Sequence, residues 1–357
     1  MRQFFERFSW VSLFLLLFRV VILVLVLWGL VNTLIIERPF TTEQILNLAI
    51  AGLTQGSIYA LIALGYTLVY GILLMINFAH GEIFMAGAFT ASFLATYLWS
   101  SGFMAQSPFL SIILLLLLAG GVSMGLAVLL ERIAYRPLRN APRLVPLITA
   151  IGASFFLQYT FRGLYGSSFR AYPDFSSLPL FTGTFNLGLL TVPRINVLVF
   201  SFALVLMIGL YWMVERTKIG KAMRAVSENK EVSRLMGIDV DYIIVFTFAI
   251  GGFLAGAAGV INGMYRPQGV SYTMGFFPGI KAFTSAVLGG IGSIPGAMLG
   301  GLLLGVFEAL GPNLVLAGLG IPGANQLKDA IAFTLLVVIL IFRPQGILGE
   351  KLAEKKA

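Results

Sequence analysis

VSLFLLLFRVVILVLVLWGLVNTLII, residues Val11 to Ile36, is an unbroken apolar run carrying one charge, Arg19. A helix rises about 1.5 Å per residue and the hydrocarbon core of a bilayer is about 30 Å thick, so roughly 20 such residues cross it. The run exceeds that length, and Val197 to Val214 repeats the pattern. Over all 357 residues, 58% are hydrophobic and only 11% charged, too little polar surface to cover a water-soluble globule of this size. The 40 glycines suit close helix packing in lipid. These features predict an all-α polytopic membrane helix bundle. Arg2 and Arg7 lend the first run the look of a signal peptide, but it is too long for one and no small-residue cleavage signature follows. It is expected to persist as a membrane helix, with Arg19 snorkelling or facing a neighbouring helix.

The basic residues cluster at Arg2 and Arg7, at Arg132 to Arg143, at Arg216 to Arg234, and from Arg343 to Lys356. Positive charge collects on the cytoplasmic side, so both termini and the two internal clusters are expected there. The net charge of +9 then reflects topology and does not call for nucleic acid. An even number of crossings must separate successive cytoplasmic points. Val11 to Ile36, Gln44 to Leu64, Ile83 to Trp99 and Phe109 to Leu130 satisfy parity before Arg132, which leaves the shorter piece Tyr66 to Ala79 to enter and return or to form a break. Arg143 to Tyr165 leads out, Gly166 to Ile195 forms an external segment, Val197 to Val214 leads in, Ile243 to Met264 leads out and Ala330 to Phe342 returns. Lys281 to Leu310 is too long for one span and holds Gly289, Gly290, Gly292, Pro295 and Gly296, so a break near Ser293 to Gly296 is expected. The result is about 8 full crossings plus two broken or re-entrant segments. One interruption in each half, after helices of opposite direction, suggests an inverted repeat and marks the transport pathway, because unwound backbone in a membrane must be buried in protein or line a watery cavity.

Polar residues near these interruptions are the candidates for function. Asn77, His80 and Glu82 fall in the first, Gln55, Ser57 and Tyr59 in the helix before it, and Ser293 and Glu308 in the second. A buried polar group is costly unless paired or hydrated, so these side chains either line a cavity or lock the breaks. Alternatively Asn77 and His80 cap helix ends while Glu82 meets water. Gln158 with Arg162, and Lys328 with Asp329, read as interfacial anchors; Glu308, deeper in the second interrupted segment, is a better functional candidate by position, the alternative being that it only pairs with a basic residue elsewhere. Between Arg216 and Asp241, Ile219, Ala222, Met223 and Val226 repeat at helical spacing, followed by Val232, Leu235 and Met236 and a stop at Gly237. Two short amphipathic helices are expected there, their apolar stripe covered by a partner or by the membrane surface.

Several functions are excluded. The chain has no cysteine, and His80 is its only histidine, so the usual catalytic zinc sites cannot be built. No GxxxxGK[ST] motif exists; Gly220-Lys221-Ala222 lacks the hydroxyl that would hold magnesium, so this chain carries no nucleotide site of that kind. No Ser/His/Asp grouping supports an enzyme, and no cofactor is expected on the chain itself.

The stretch GSIYALIALGYTLVYGILLMINFAHGE, Gly56 to Glu82, closely resembles the branched-chain amino acid permease family of the LivH type. RTKIGKAMRAVSENKEVSRLMGID from Arg216 to Asp239, KAFTSAVLGGIGSIPGAMLGG from Lys281 to Gly301 and RPQGILG from Arg343 to Gly349 resemble the same family. The helix before Glu37 is outside the family's usual core, so residues 1–43 form an extra N-terminal helix and external turn, 44–349 the permease domain and 350–357 a cytoplasmic tail. The resemblance implies an ABC importer subunit in a bacterial inner membrane, with a second permease subunit, ATPase subunits that hold the ATP, and an extracytoplasmic binding protein. It makes Glu231 to Gly237 the ATPase coupling segment, with Arg224, Glu231, Arg234, Leu235, Met236 and Gly237 at the contact. Urea or short amides are an alternative cargo, and a gradient-driven transporter or channel an alternative class.

Overall fold

A computed structural model describes residues 10–139, 141–142, 144–188, 190–266 and 269–349. Arg2, Arg7, Arg143 and the tail 350–357 lie outside the described residues. The chain is a helical bundle, and among the described residues nine helices are long and apolar enough to cross a membrane. Eight coincide with the expected crossings. The ninth, Ile294–Leu316, is the second half of the expected interrupted segment.

Helix α1 (Trp10–Val31) continues into a π-helical turn at Asn32–Glu37. Helix α2 (Thr42–Leu73) opens on a capping box, in which Thr41 accepts from the Gln44 amide and the Gln44 side chain returns to the Thr41 amide. It runs 32 residues without interruption. Tyr66 to Ala79 is therefore no separate piece: Tyr66 to Leu73 is the last part of α2, and only the six residues before His80 are non-helical, starting at Leu74 in the left-handed region with φ 55°. No proline or cluster of glycines marks the end of α2, whereas the chain needs the break to fold back beside the same helix. Helix α3 (His80–Ser100) then begins level with Gly65, about two turns before α2 ends, because a Cβ added at Gly65 would strike the His80 ring.

Helix α4 (Pro108–Leu130), extended by a π-helical turn (Glu131–Tyr135) and a 3₁₀ turn (Arg136–Leu138), precedes α5 (Leu144–Tyr165). Within the expected external segment lies a small antiparallel hairpin, β1 (Thr184–Leu187) with β2 (Leu190–Pro193). Helix α6 (Arg194–Arg216) leads to the short helices α7 (Lys218–Glu228) and α8 (Lys230–Leu235), and α9 (Val240–Tyr265) follows. Helix α10 (Phe276–Gly289) is only about 21 Å long at 1.5 Å per residue, too short to span. It turns at Gly290 and Gly292, both at positive φ, and α11 (Ile294–Leu310) returns against it. The break thus sits at Gly290–Ser293, slightly before the expected position. Ser293 caps α11 by accepting the Gly296 amide at 3.1 Å, and Pro295 falls in the first turn, where its missing N–H has no helical partner to lose. The RPQGILG segment after α12 (Lys328–Phe342) finishes the hairpin: the amides of Ile347 and Leu348 donate to the carbonyls of Leu288 and Gly289, which the end of α10 leaves open.

In lipid the hydrophobic effect does not separate one apolar helix from another, so association depends on close backbone approach. Gly52, Gly56 and Ala60 on α2 meet Gly301 and Gly305 on α11, and these two helices pack most extensively in the fold. A Cβ at Gly56 would lie 2.7 Å from the Gly301 carbonyl. Helices α3, α4 and α9 meet in the same way through Gly87, Ser123 and Gly256. Helix α1 is attached rather than central. Its Gly29 abuts Val315, Asn32 donates to the Gly318 carbonyl at 2.8 Å, and the Arg19 guanidinium sits 4.2 Å from the Phe342 ring centroid, so Arg19 faces a neighbouring helix.

Candidate functional site

Three polar arrangements occupy the interior. The first joins α2, α10, α11 and α12. Tyr59 donates its hydroxyl to Glu308 Oε2 at 2.8 Å, and Lys281 Nζ lies 2.9 Å from Glu308 Oε1, 2.6 Å from Asp329 Oδ1 and 3.3 Å from the Tyr59 hydroxyl. The Lys281–Glu308 contact is a charge contact off the hydrogen-bond direction. Glu308 therefore does pair with a base, and Asp329 is no mere interfacial anchor. Lys281 was visible only as the start of an interrupted segment; a lone lysine in an apolar stretch was the available signal.

The second arrangement lies on the other side of α10. A cavity of about 240 Å³ is lined by Tyr66, Phe78, Glu82, Ser154, Gln158 and Phe276, among others. Glu82 is 1% exposed, so it does not meet water at the surface. Its Oε1 accepts from Gln158 Nε2 at 2.7 Å and from Ser154 Oγ at 3.3 Å, while Oε2 has no hydrogen-bond partner. Gln158 is buried here instead of anchoring α5 with Arg162 at an interface, because α5 turns that face toward α3. Away from the cavity, Ile148 and Phe156 of α5 are exposed.

The third is a hydrogen bond of 2.6 Å from the Tyr135 hydroxyl to Asn77 Oδ1, which ties the first interruption to the end of α4. Neither Asn77 nor His80 caps a helix through its side chain: the N-cap of α3 is Ala79. His80 packs edge-on against Tyr66, ring centroids 4.9 Å apart, with its Nε2 unpaired. Of the remaining candidates, Gln55 is buried one turn before Tyr59 with Oε1 unpaired. Ser57 donates to the Thr54 carbonyl of its own helix at 2.7 Å, and Ser293 is an N-cap, so local backbone satisfies both.

At the end of the bundle that carries Arg132 to Arg139 and Arg216 to Arg234, Glu131 is wholly buried and pairs with Arg139, which also pairs with Asp241 at the start of α9. The two amphipathic helices are present, but their apolar residues divide. Met223 and Val226 of α7 are buried in the bundle, so the first half of the stripe has its partner within the chain. On α8, Leu235 is 87% and Met236 77% exposed, with Val232 beside them. Asn229 caps α8 by accepting the amides of Glu231 and Val232. Gly237, at φ 82°, closes it in a Schellman turn, its amide donating to the Arg234 carbonyl and that of Ile238 to the Ser233 carbonyl. Glu231 and Arg234 lie exposed beside the patch, and Arg224 pairs with Glu215 at 2.5 Å. The Lys230 ammonium is pushed below its ordinary pKa, first by partial burial and then by the like charges of Arg139 and Arg234.

A bundle with a re-entrant hairpin, polar groups collected at its breaks and an uncovered apolar patch on a basic surface is the architecture of a multi-pass membrane permease. Residues 48–340 match the family described as the permease component of branched-chain amino acid transport systems. The chain belongs to that family. It is 43% identical over 317 residues, 88% of this chain and 97% of the relative, to the high-affinity branched-chain amino acid transport system permease protein BraD of Pseudomonas aeruginosa. Permease protein LivH of the corresponding system in Escherichia coli K12 is 39% identical over 314 residues, covering 85% and 95% of the two chains. A probable LivH of Methanocaldococcus jannaschii is 28% identical over 295 residues, 82% of this chain and 89% of the relative.

Proposed function

We propose that this chain is the pore-forming permease subunit of an ABC importer for branched-chain amino acids, driven by ATP hydrolysed on separate ATPase subunits. It resides in the bacterial cytoplasmic membrane with both termini and the α7–α8 loop in the cytoplasm, pairs with a second permease subunit, and receives cargo from an extracytoplasmic binding protein. The relatives, permease proteins of branched-chain amino acid transport systems, support the cargo. The observation that carries the coupling is the α8 patch: Leu235 and Met236 stand almost fully in the open on a helix too short to be stable alone, closed at both ends and packed against α7 and α9. A surface of that kind on the basic side fits an apolar cleft of a partner, with Glu231 and Arg234 orienting it from the rim. Glu131 and Glu308 already hold Arg139 and Lys281, so neither is free to carry a coupling ion.

Leu235→Asp is expected to place an unpaired charge in the contact and cost about 2–5 kcal/mol of ATPase docking. Co-purification of the ATPase and transport-linked ATP hydrolysis in reconstituted vesicles should both fall, with insertion unchanged. If both persist at the original level, α8 does not couple. A reporter at Lys230 that is active outside the cell would overturn the orientation.

A further inference from the structure

Glu82 differs from the other buried acids. Among the described residues Glu131 has Arg139 and Glu308 has Lys281, whereas no cation pairs with Glu82. Its partners Gln158 and Ser154 are neutral donors to one oxygen only. Oε2 is unpartnered and shut off from solvent, next to the backbone of Gly275, where an added Cβ would come within 2.8 Å of it. The nearest basic residue on α5, Arg162, is held against the rings of Tyr159 and Tyr272. A buried carboxylate without a counter-charge is among the most costly arrangements in a membrane protein, and it becomes favourable when something brings a cation to it.

The cavity tells which cation. A hard metal ion asks for several oxygens, and among the described residues no group of three His, Asp or Glu side chains is close enough to hold one. The walls beside Glu82 are instead apolar: Phe78, Ile151, Phe155, Phe276 and Ile280. One charge beside an apolar wall is complementary to an organic ammonium with an apolar tail. Helix α10 starts on the same cavity at Gly275 and Phe276 with no side-chain cap, and its positive end suits a carboxylate. We propose that the cavity is a transit site for the zwitterionic cargo, in which Glu82 receives the ammonium group and the α3–α5–α10 wall receives the side chain. This rests on the amino-acid reading above and deepens it by assigning the contact. It also makes the polar edge of α5 part of the pathway, since a carboxylate-floored cavity cannot open on lipid.

The chain has no native cysteine, so Ile151→Cys introduces a single thiol at the cavity wall. In the assembled complex, its modification by a cationic aminoethyl and an anionic sulfonatoethyl methanethiosulfonate is followed by the mass of this chain. Phe156→Cys, on the exposed face of α5, normalises the reagents. A unit charge a few ångströms away in a partly desolvated site favours the cation by about tenfold or more over the anion. That preference is expected at Ile151→Cys, should vanish with Glu82→Gln and persist with Glu82→Asp, and leucine should slow the cationic reagent only while the carboxylate is present. Equal normalised rates with Glu82 intact would overturn the site, a result that needs no folded Glu82 variant. A preserved preference with no protection by leucine would overturn the amino-acid assignment while leaving the charged cavity in place. Equal protection by leucine with and without the carboxylate would overturn the ammonium contact.

Discussion

Lys281→Met removes the one cation that holds Glu308 and Asp329 together. At 2.9 Å and an effective dielectric constant of about 20, Lys281 and Glu308 attract by about 6 kcal/mol, part of which desolvation offsets. The Asp329 side chain is 47% exposed, so that arm adds little. Breaking a buried pair from one side costs about 3–5 kcal/mol, since the remaining charge is left alone, and that is the loss expected here. Glu308→Gln alone should also destabilise, by stranding Lys281 with a single half-exposed partner. The double variant should recover much of the loss, because neither charge remains and the introduced amide keeps a carbonyl acceptor for the Tyr59 hydroxyl. The assay is thermal inactivation in lipid nanodiscs, scored as the fraction surviving as a monodisperse complex, with the single and double variants arranged as a double-mutant cycle. Unfolding of a polytopic protein is commonly irreversible, so the ordering of inactivation rates is the readout. Additive losses, with the double variant worse than either single one, would show that the cluster is not a coupled unit and refute the reasoning.

Two further outcomes follow from the packing. Gly301→Leu sets a side chain against the backbone of Ala60, where α2 and α11 already touch, and should cost at least about 1–3 kcal/mol by overpacking; recovery of monodisperse protein in mild detergent should collapse, while the same change at Gly121, which faces open space, should be tolerated. Tyr135→Phe keeps the ring but strips Asn77 Oδ1 of its hydrogen-bond donor, leaving a buried carbonyl unsatisfied at about 1–3 kcal/mol. Faster hydrogen exchange in residues 74–79 with unchanged exchange in α2 would bear this out, and unchanged exchange in both would count against it.

Much of the architecture was legible in sequence because its causes are local. The apolar length of Val11 to Ile36 decides that lipid is the solvent. Gly290, Gly292 and Pro295 forbid a continuous helix through the second interruption, and Ser293 and Gly237 stop or start helices through their own backbone chemistry. Placement of the breaks shifted by a few residues, because proline is as comfortable in a first turn as in a loop.

What required the tertiary structure was the direction each helix faces. In a soluble protein an apolar stripe points to the core, but lipid tails are as apolar as a core, so Met223 and Val226, which turn inward, read the same along the chain as Leu235 and Met236, which do not. The polar partnerships were hidden for the same reason. Glu82 meets Gln158 from 76 positions away, and Lys281 reaches Tyr59 across 222, contacts set by helix rotation and packing depth that no local pattern encodes. Residue types announced that buried polar groups would need partners; only the assembled helices decided that Glu308 has a cation within the chain and that Glu82 has none among the described residues.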